Sequence, residues 1–234
     1  MRPRNPKSIK EMFNIVAGNY DFLNDLFSFG IHRIWKRELL KSSRALPGER
    51  WLDMCCGTGD LSFLLVNCVK EEGEVVGLDF AAKPLLIAKK RARRSKRNNI
   101  IKWLSEDALD TKLPSHSFDG ALMAYGLRNL ADPQSGIDEL FRLVKPGGKV
   151  AILDFNKPPQ RSFAAFFQKI YLRLFVVPIA FCFGMRGQYA YLEKSLELFP
   201  SPMSLKKMAL NAGFNYVSYR ILAGGLMGIL SMKS

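Results

Sequence analysis

The sequence predicts an α/β fold: a doubly wound, mostly parallel sheet of seven strands with helices on both faces, preceded by an N-terminal helical lid. Three observations carry this. Short apolar runs alternate with helical patterns from Arg50 to Phe155, the rhythm of βαβ units whose right-handed crossovers put helices on both faces. A glycine-punctuated turn, Cys55-Cys-Gly-Thr-Gly59, follows the first run, where doubly wound sheets bind ligands. The tail carries two β-like runs, Tyr216 to Leu222 and Leu226 to Met232, which read as an antiparallel hairpin at the sheet edge.

The elements follow in order. Ser8, three residues before Glu11, reads as a capping box that opens a helix containing Met12, Phe13, Ile15 and Val16. The prelude continues through Tyr20, Leu23, Leu26 and Phe27 to a break at Gly30, then into an amphipathic stretch with Ile34, Trp35, Leu39 and Leu40. Strands are expected near 50–54, 74–78, 100–104, 118–124 and 149–155. The connecting helices are expected near 60–70, 81–96 and 134–144, the last stopped by Lys145-Pro-Gly-Gly148. Beyond Asn156 comes a long aromatic-rich helical region, then a helix near 204–212 closed by Gly213.

At 234 residues, 48% hydrophobic and 12% aromatic, the chain has material for one large core. Thirty-five basic against 21 acidic residues give a formal charge of +14, which favours nucleic acid or an anionic membrane without choosing between them. Cys55, Cys56, Cys68 and Cys182 form no Cys-x-x-Cys pair, and His32 and His116 have no metal-compatible spacing, so no metal site and a reducing compartment are expected. The opening residues lack a secretory apolar core, and Glu11 comes too early for a typical transit peptide. Gln168, Lys169 and Arg173 interrupt the run 163–185 before it can span a membrane.

The turn after the first strand narrows the ligand. Gly57 and Gly59 let the backbone approach a ligand closely, but a dinucleotide fingerprint needs a third glycine where Ser62 stands. Asp53 and Asp60 flank the glycines, and carboxylates facing a crevice suit a cationic cofactor, such as a sulfonium with an amino-acid tail. Asp79 ends the second strand, 20 residues after Gly59, where an acidic side chain accepts from ribose hydroxyls. Glu106-Asp107-Ala108 follows the third strand, where a carboxylate can meet an adenine amino group. Each carboxylate alone reads equally as a helix cap or a solvated strand end. Together, at the ends of consecutive strands, they point to S-adenosylmethionine.

Several segments extend this reading across nearly the whole chain: Tyr20-Asp-Phe-Leu-Asn-Asp25, His32-Arg-Ile-Trp-Lys36, Leu52-Asp-Met-Cys-Cys-Gly-Thr-Gly-Asp-Leu61, Tyr125-Gly-Leu-Arg-Asn129, Lys145 to Phe155, Tyr189-Ala-Tyr-Leu192 and Met208 to Phe214. In these the chain resembles the ubiquinone/menaquinone biosynthesis C-methyltransferase family, a branch of the class I, Rossmann-like S-adenosylmethionine enzymes. The double cysteine, Asp154-Phe-Asn-Lys-Pro158 and Gly225-Leu-Met-Gly228 look most like its photosynthetic branch, which methylates a phytyl-naphthoquinol to make phylloquinone. The resemblance implies cofactor contacts at Thr58, Asp79, Asp107 and Ala108. It also implies that the serine many bacterial members carry before the aromatic-Gly-Leu-Arg-Asn segment is Ala124 here, so a side-chain hydrogen bond is lost. The candidate cofactor set is Asp53, Gly57, Thr58, Gly59, Asp79, Phe80, Asp107, Ala108 and Tyr125. The expected organisation is one domain, 1–234, comprising a prelude over 1–48, a cofactor core over 49–156, and substrate- and membrane-facing helices with the edge hairpin over 157–234.

Methylating an aromatic carbon needs an electron-rich ring, which a quinol supplies once its hydroxyl proton is lost or partly transferred. Arg128 and Asn129 follow the fourth strand, across the crevice from the glycine turn, and are the catalytic candidates. Arginine stays protonated and suits stabilising a quinolate; the alternative is a structural pairing of Arg128 with Asp154. His32, on the lid, reads as a packing residue or a contact to the quinol oxygen, and His116 as a solvated turn residue. Phe27, Phe29, Trp35, Phe163, Phe166, Phe167, Tyr171 and Phe175 are candidates for lining an isoprenoid pocket, with core packing as the alternative. The run 163–183 suits a helix that dips into a lipid interface. The basic run 89–97 reads first as a solvated helix face, then as an anionic-lipid patch.

The expected partners are a lipophilic quinol and, peripherally, a membrane, in a plastid or cyanobacterial-type cytoplasm and not secreted. Nucleic acid is disfavoured, and the oligomeric state, a homodimer included, stays open. Demethylmenaquinol and a ubiquinone-precursor benzoquinol are alternative substrates. An RNA or protein methyltransferase and a silent cofactor-binding module are alternatives of other classes.

Overall fold

The structure, a computed structural model, describes residues 5–95, 100–159, 162–182 and 186–234, with backbone alone at 19–21, 23, 175, 179, 180, 182 and 186–190. The expectations placed on the side chains of Tyr20, Asp21, Leu23, Phe175, Cys182 and Tyr189, on Ala190, and on Lys96, Arg97, Phe183 and Met185 lie outside the described residues.

Helix α1 spans Pro6–Val16, α2 spans Tyr20–Ser28 and α3 spans His32–Ser43. The capping box expected at Ser8 is not the cap. Asn5 is, its Oδ1 accepting the Ser8 N–H at 3.1 Å, with Pro6 at the first helical position, where a missing N–H costs nothing. The break between α2 and α3 falls at Phe29 and Gly30, both with positive φ.

Strands β1 (Arg50–Met54), β2 (Glu74–Leu78), β3 (Ile101–Leu104), β4 (Phe118–Ala124) and β5 (Val144–Phe155) pair in parallel. They are connected through α4 (Asp60–Val69), α5 (Ala82–Arg94) and α6 (Pro133–Leu143). The tail holds α7 (Phe163–Tyr171), a π-helical turn (Leu172–Val176), α8 (Val177–Cys182), α9 (Arg186–Leu198), α10 (Pro202–Ala212), β6 (Tyr216–Leu222) and β7 (Met227–Lys233). The sheet order is β3-β2-β1-β4-β5-β7-β6, with β7 antiparallel to β5 and β6 antiparallel to β7. That is the expected doubly wound sheet closed by an edge hairpin. One detail differs. Strand β5 starts at Val144, not Lys149, because Val144 already pairs with Phe118 before the register shifts across the Pro-Gly-Gly segment.

Alternate strand residues face opposite layers. Leu52, Met54, Val76, Leu78, Ala121 and Met123 pack with α6 and α10 residues on one face, while Trp51, Val75, Leu122, Ala151 and Leu153 pack with α3 and α4 on the other. The sheet centre is dense enough to dictate a glycine: a Cβ on Gly120 would stand 2.3 Å from the fully buried Trp51 ring and 2.7 Å from the Lys149 carbonyl. Gly120→Ala should therefore lower unfolding stability by about 1–3 kcal/mol through overpacking. Chemical denaturation checks this, and an unchanged midpoint contradicts it.

Candidate functional site

Strands β1, β2, β3 and β4 run parallel, so their carboxyl ends share one rim. At that rim, β1 turns through Cys55, with φ of 60°, and Gly57, with φ of 55°, into α4. Across the switch point, β4 turns through Tyr125, also with φ of 60°. A left-handed backbone at two non-glycine residues marks strain concentrated where chain reversal meets a site. The two turns touch: a Cβ on Gly126 would lie 2.8 Å from Cys55 Cβ.

Asp79, ending β2, ties this rim together. Its Oδ2 accepts the Gly57 N–H at 2.8 Å and its Oδ1 the Ala81 N–H at 2.8 Å. Burial raises its carboxyl above the usual carboxylate range despite these backbone hydrogen bonds. Each oxygen keeps lone-pair capacity for a further donor.

Gly57, Asp79, Phe80, Asp107, Ala108 and Tyr125 line one pocket, covered by Pro6, Ile9 and Phe13 of α1. Its walls are apolar, among them Leu78, Pro84, Leu109 and Leu130, and none of its lining residues is basic. A Cβ on Gly57 would meet nothing within 4 Å, so the turn leaves open space over the pocket. Two carboxylates, apolar walls and no cation suit a ligand with an aromatic base, hydroxyls and a positive centre, and disfavour a pyrophosphate. The expected cofactor fits these residues.

Three expected cofactor residues stand elsewhere. Asp53 and Thr58 line a smaller pocket that adjoins the first, sharing Cys55, Gly57, Ala124 and Tyr125 with it. Gly59 packs against Trp103, where a Cβ would stand 2.6 Å from the ring, so it shapes the turn from behind. Asp60 lines the same smaller pocket, but not as a free anion. Its oxygens bind Lys36 Nζ at 2.7 Å and Arg91 at 2.8 Å; burial pushes its carboxyl up, but these two cations outweigh burial and leave it at about 2. Arg91 therefore leaves the solvated face expected for the basic run and turns inward, also donating to the Thr58 carbonyl. His116 is exposed, in a left-handed turn.

A second pocket lies beside the first and shares Phe13, Tyr125 and Asn129 with it. Of the aromatics expected to line it, Phe27, Trp35 and Tyr171 do so, whereas Phe29, Phe163, Phe166 and Phe167 are exposed on the surface. Phe13, Phe155, Tyr191 and Met227 also line it, though sequence reasoning assigned them no such role. Tyr191 lies in the tail segment that motif matching did single out.

Arg128 lines this second pocket with its side chain 12% exposed. Its Nη1 donates to Asp154 Oδ1 at 2.8 Å and to the Tyr125 carbonyl at 2.9 Å, and its backbone N–H to Asp154 Oδ2. The pairing with Asp154 weighed as an alternative is thus present, and it leaves the guanidinium bordering the pocket over the Tyr125 and Phe155 rings. Asn129 donates to the Tyr125 carbonyl and accepts from the Tyr191 hydroxyl, both at 2.8 Å. It holds the strained turn in shape.

Asp53 is fully buried, accepts from Ser62 Oγ at 2.6 Å, and is pushed by burial up to about 7. Unfolded, it ionises near 3.9, so between these values folding costs a proton uptake and stability falls as pH rises. The unfolding free energy of Asp53→Asn minus that of the parent chain should therefore grow from about pH 4 to 7 and level off above. Denaturant titrations across pH check it; parallel curves contradict it.

Comparison with known proteins accords with this geometry. The description "ubiE/COQ5 methyltransferase family" matches residues 1–232. A Synechococcus elongatus protein named 2-phytyl-1,4-naphtoquinone methyltransferase is 42% identical over 98% of each chain. An Arabidopsis thaliana protein named 2-phytyl-1,4-beta-naphthoquinone methyltransferase, chloroplastic, is 41% identical over 94% of this chain and 84% of its own. An Aquifex aeolicus protein titled a SAM dependent methyltransferase shares the fold, with a TM-score of 0.63 at 19% identity over 98% of both chains.

Proposed function

Because the chain belongs to the ubiE/COQ5 methyltransferase family, we propose that it methylates a ring carbon of a reduced prenylated naphthoquinone, with 2-phytyl-1,4-naphthoquinol as substrate and phylloquinol as product. It is an S-adenosylmethionine-dependent methyltransferase. The observation that carries the substrate reading is the pair of adjoining pockets: one acidic and sized by a glycine turn, the other aromatic and bordered by Arg128, with Tyr125 and Asn129 between them.

Bound S-adenosylmethionine supplies an electrophilic methyl group on a sulfonium. Asp79 and Asp107 are the groups to hold its ribose and adenine, with Gly57 giving it backbone access. Arg128, fixed by Asp154 and the Tyr125 carbonyl, keeps a permanent positive charge on the aromatic pocket, where it stabilises negative charge developing on a quinol oxygen. Phe13, Trp35, Phe155 and Met227 exclude water from the ring.

The exposed surface beside the aromatic pocket supports peripheral membrane association in a plastid or cyanobacterial-type cytoplasm. Phe163, at 81% exposed, stands with Phe166 and Leu174 on the surface, interleaved with exposed Lys169 and Arg173. Such a mixture lets the rings enter an interface while the cations meet anionic headgroups. The Tyr171 hydroxyl donates to the Phe27 carbonyl, and both residues line the aromatic pocket, which joins this segment to the pocket wall. Among the described residues no helix is long and apolar enough to cross a membrane.

Radiolabelled methyl transfer should appear with reduced demethylphylloquinone, fall to background with the oxidised quinone or RNA, and drop by roughly 100-fold or more in Arg128→Ala, a loss of oxyanion stabilisation. Equal labelling of RNA contradicts the assignment. In flotation, the chain should rise with anionic vesicles at low salt, and Phe163→Ser with Phe166→Ser should leave most of it unbound; identical flotation of the variant contradicts the interface.

A further inference from the structure

His32 and Asn24 stand on the wall of the aromatic pocket. The His32 residue is 4% exposed, and its backbone N–H is capped by the Ser28 hydroxyl at 3.2 Å. Its Nε2 lies 2.8 Å from Asp25 Oδ1. Asp25 is held below the usual carboxylate range by hydrogen bonds from Arg33 and then His32, so it is ionised and can only accept. That partner assigns the ring proton to Nε2 and leaves a lone pair on Nδ1. Nδ1 is buried and meets no hydrogen-bond partner in the protein. Asn24 Nδ2 is likewise buried without a partner.

An orphan acceptor and an orphan donor on one pocket wall are uncommon in native proteins, whose buried polar groups are almost always paired. A hydroxyl carries the complementary pair of functions, since it donates one hydrogen bond and accepts another. A quinone carbonyl cannot satisfy His32. Arg128 cannot take a proton, since it stays charged. Burial lowers the His32 imidazole below its ordinary value, ahead of the opposing hydrogen bond from Asp25, so the ring is neutral and able to accept.

We propose that His32, oriented by Asp25, is the catalytic base of the reaction, with Asn24 donating to the same quinol oxygen. The inference rests on the quinol reading above. The hydroxyl O–H bond breaks, its proton passes to the Nδ1 lone pair, and the electron pair left on oxygen feeds the ring carbon that forms the new C–C bond as the donor's C–S bond breaks. The ring then loses its C–H proton to water, and His32 returns its own proton to the oxygen. Quinol and donor cation become methylquinol, neutral thioether and one proton released. The arrangement has the logic of a nucleophile's base held by a carboxylate, applied here to a phenolic hydroxyl.

The test compares the full chain with His32→Gln, which keeps a donor for Asp25 and removes the base. At pH 7 the variant should lose roughly 100-fold or more in kcat, the scale of general-base catalysis, while calorimetric affinity for S-adenosylmethionine and for the oxidised quinone stays within about twofold of the parent's, as a base used only in the reaction requires. Its residual rate should rise roughly tenfold per pH unit towards the phenol range near 10, where the quinol ionises unaided. The parent's rate should fall as pH drops below His32's lowered value. The groups bearing on that limb are Asp25, Arg33, Lys36 and Asp60, with Arg128, Tyr125, Tyr171 and Tyr191 also on the pocket. Asp25→Asn should lower kcat with cofactor affinity intact. If His32→Gln keeps its rate, or loses it without alkaline recovery, the proposal is overturned. If the parent itself fails on every quinol, the substrate reading falls instead.

Discussion

The carboxylate of Asp79 is the constraint on which the rim depends. Its two oxygens accept backbone N–H groups from Gly57 and Ala81, so one side chain at the end of β2 holds the turn leaving β1 and its own continuation into α5. A mobile turn would spread the lining residues apart and lose the open volume above Gly57. Burial raises the cost of ionising Asp79, and the amide donors offset part of it. The second constraint is the missing Cβ of Gly126, which lets the turn after β4 rest against Cys55. Together they set two strained turns side by side at the switch point.

From this frame the proposed chemistry divides between two pockets. The acidic pocket holds no compensating cation among its lining residues, which is what a cationic donor requires. Next to it, Arg128 faces the aromatic pocket already paired with the buried Asp154. Two hydrogen bonds, to Asp154 Oδ1 and to the Tyr125 carbonyl, hold the guanidinium in one orientation, and so pre-organise a charge that would otherwise cost entropy to place. Helix α1 closes both pockets, through Ile9 and Phe13 on one and Met12, Phe13 and Val16 on the other. A lid that touches both can couple occupation of one to closure over the other.

Much of this was legible in the residues. Strand positions follow from apolar runs bounded by glycine and proline, and parallel strands must end on a shared rim, so Asp79 and Asp107 could be placed together before any coordinates. Asp60 could not, because its partners Lys36 and Arg91 come from α3 and α5 and their approach depends on packing that periodicity does not encode. The same limit hid Phe13 and Tyr191 on helices and Phe155 and Met227 on strands: an apolar residue in a periodic pattern looks alike whether it faces core or cavity. The Ser8 and Glu11 spacing reads as a capping box, yet it falls inside the helix that Asn5 caps. The left-handed turns at Cys55 and Tyr125 carry no compositional mark, since such strain is imposed by the surrounding sheet.

The central claim is that the turns leaving successive strands hold a methyl donor with its sulfur at the boundary marked by Tyr125 and Asn129. A crystal structure of the chain with S-adenosylhomocysteine tests it most directly. The account predicts ribose hydroxyls on Asp79, the adenine between Phe80 and Ala108 beside Asp107, and the sulfur pointing into the chamber of His32 and Arg128. Adenosine bound on another surface, or sulfur directed away from that chamber, would contradict it.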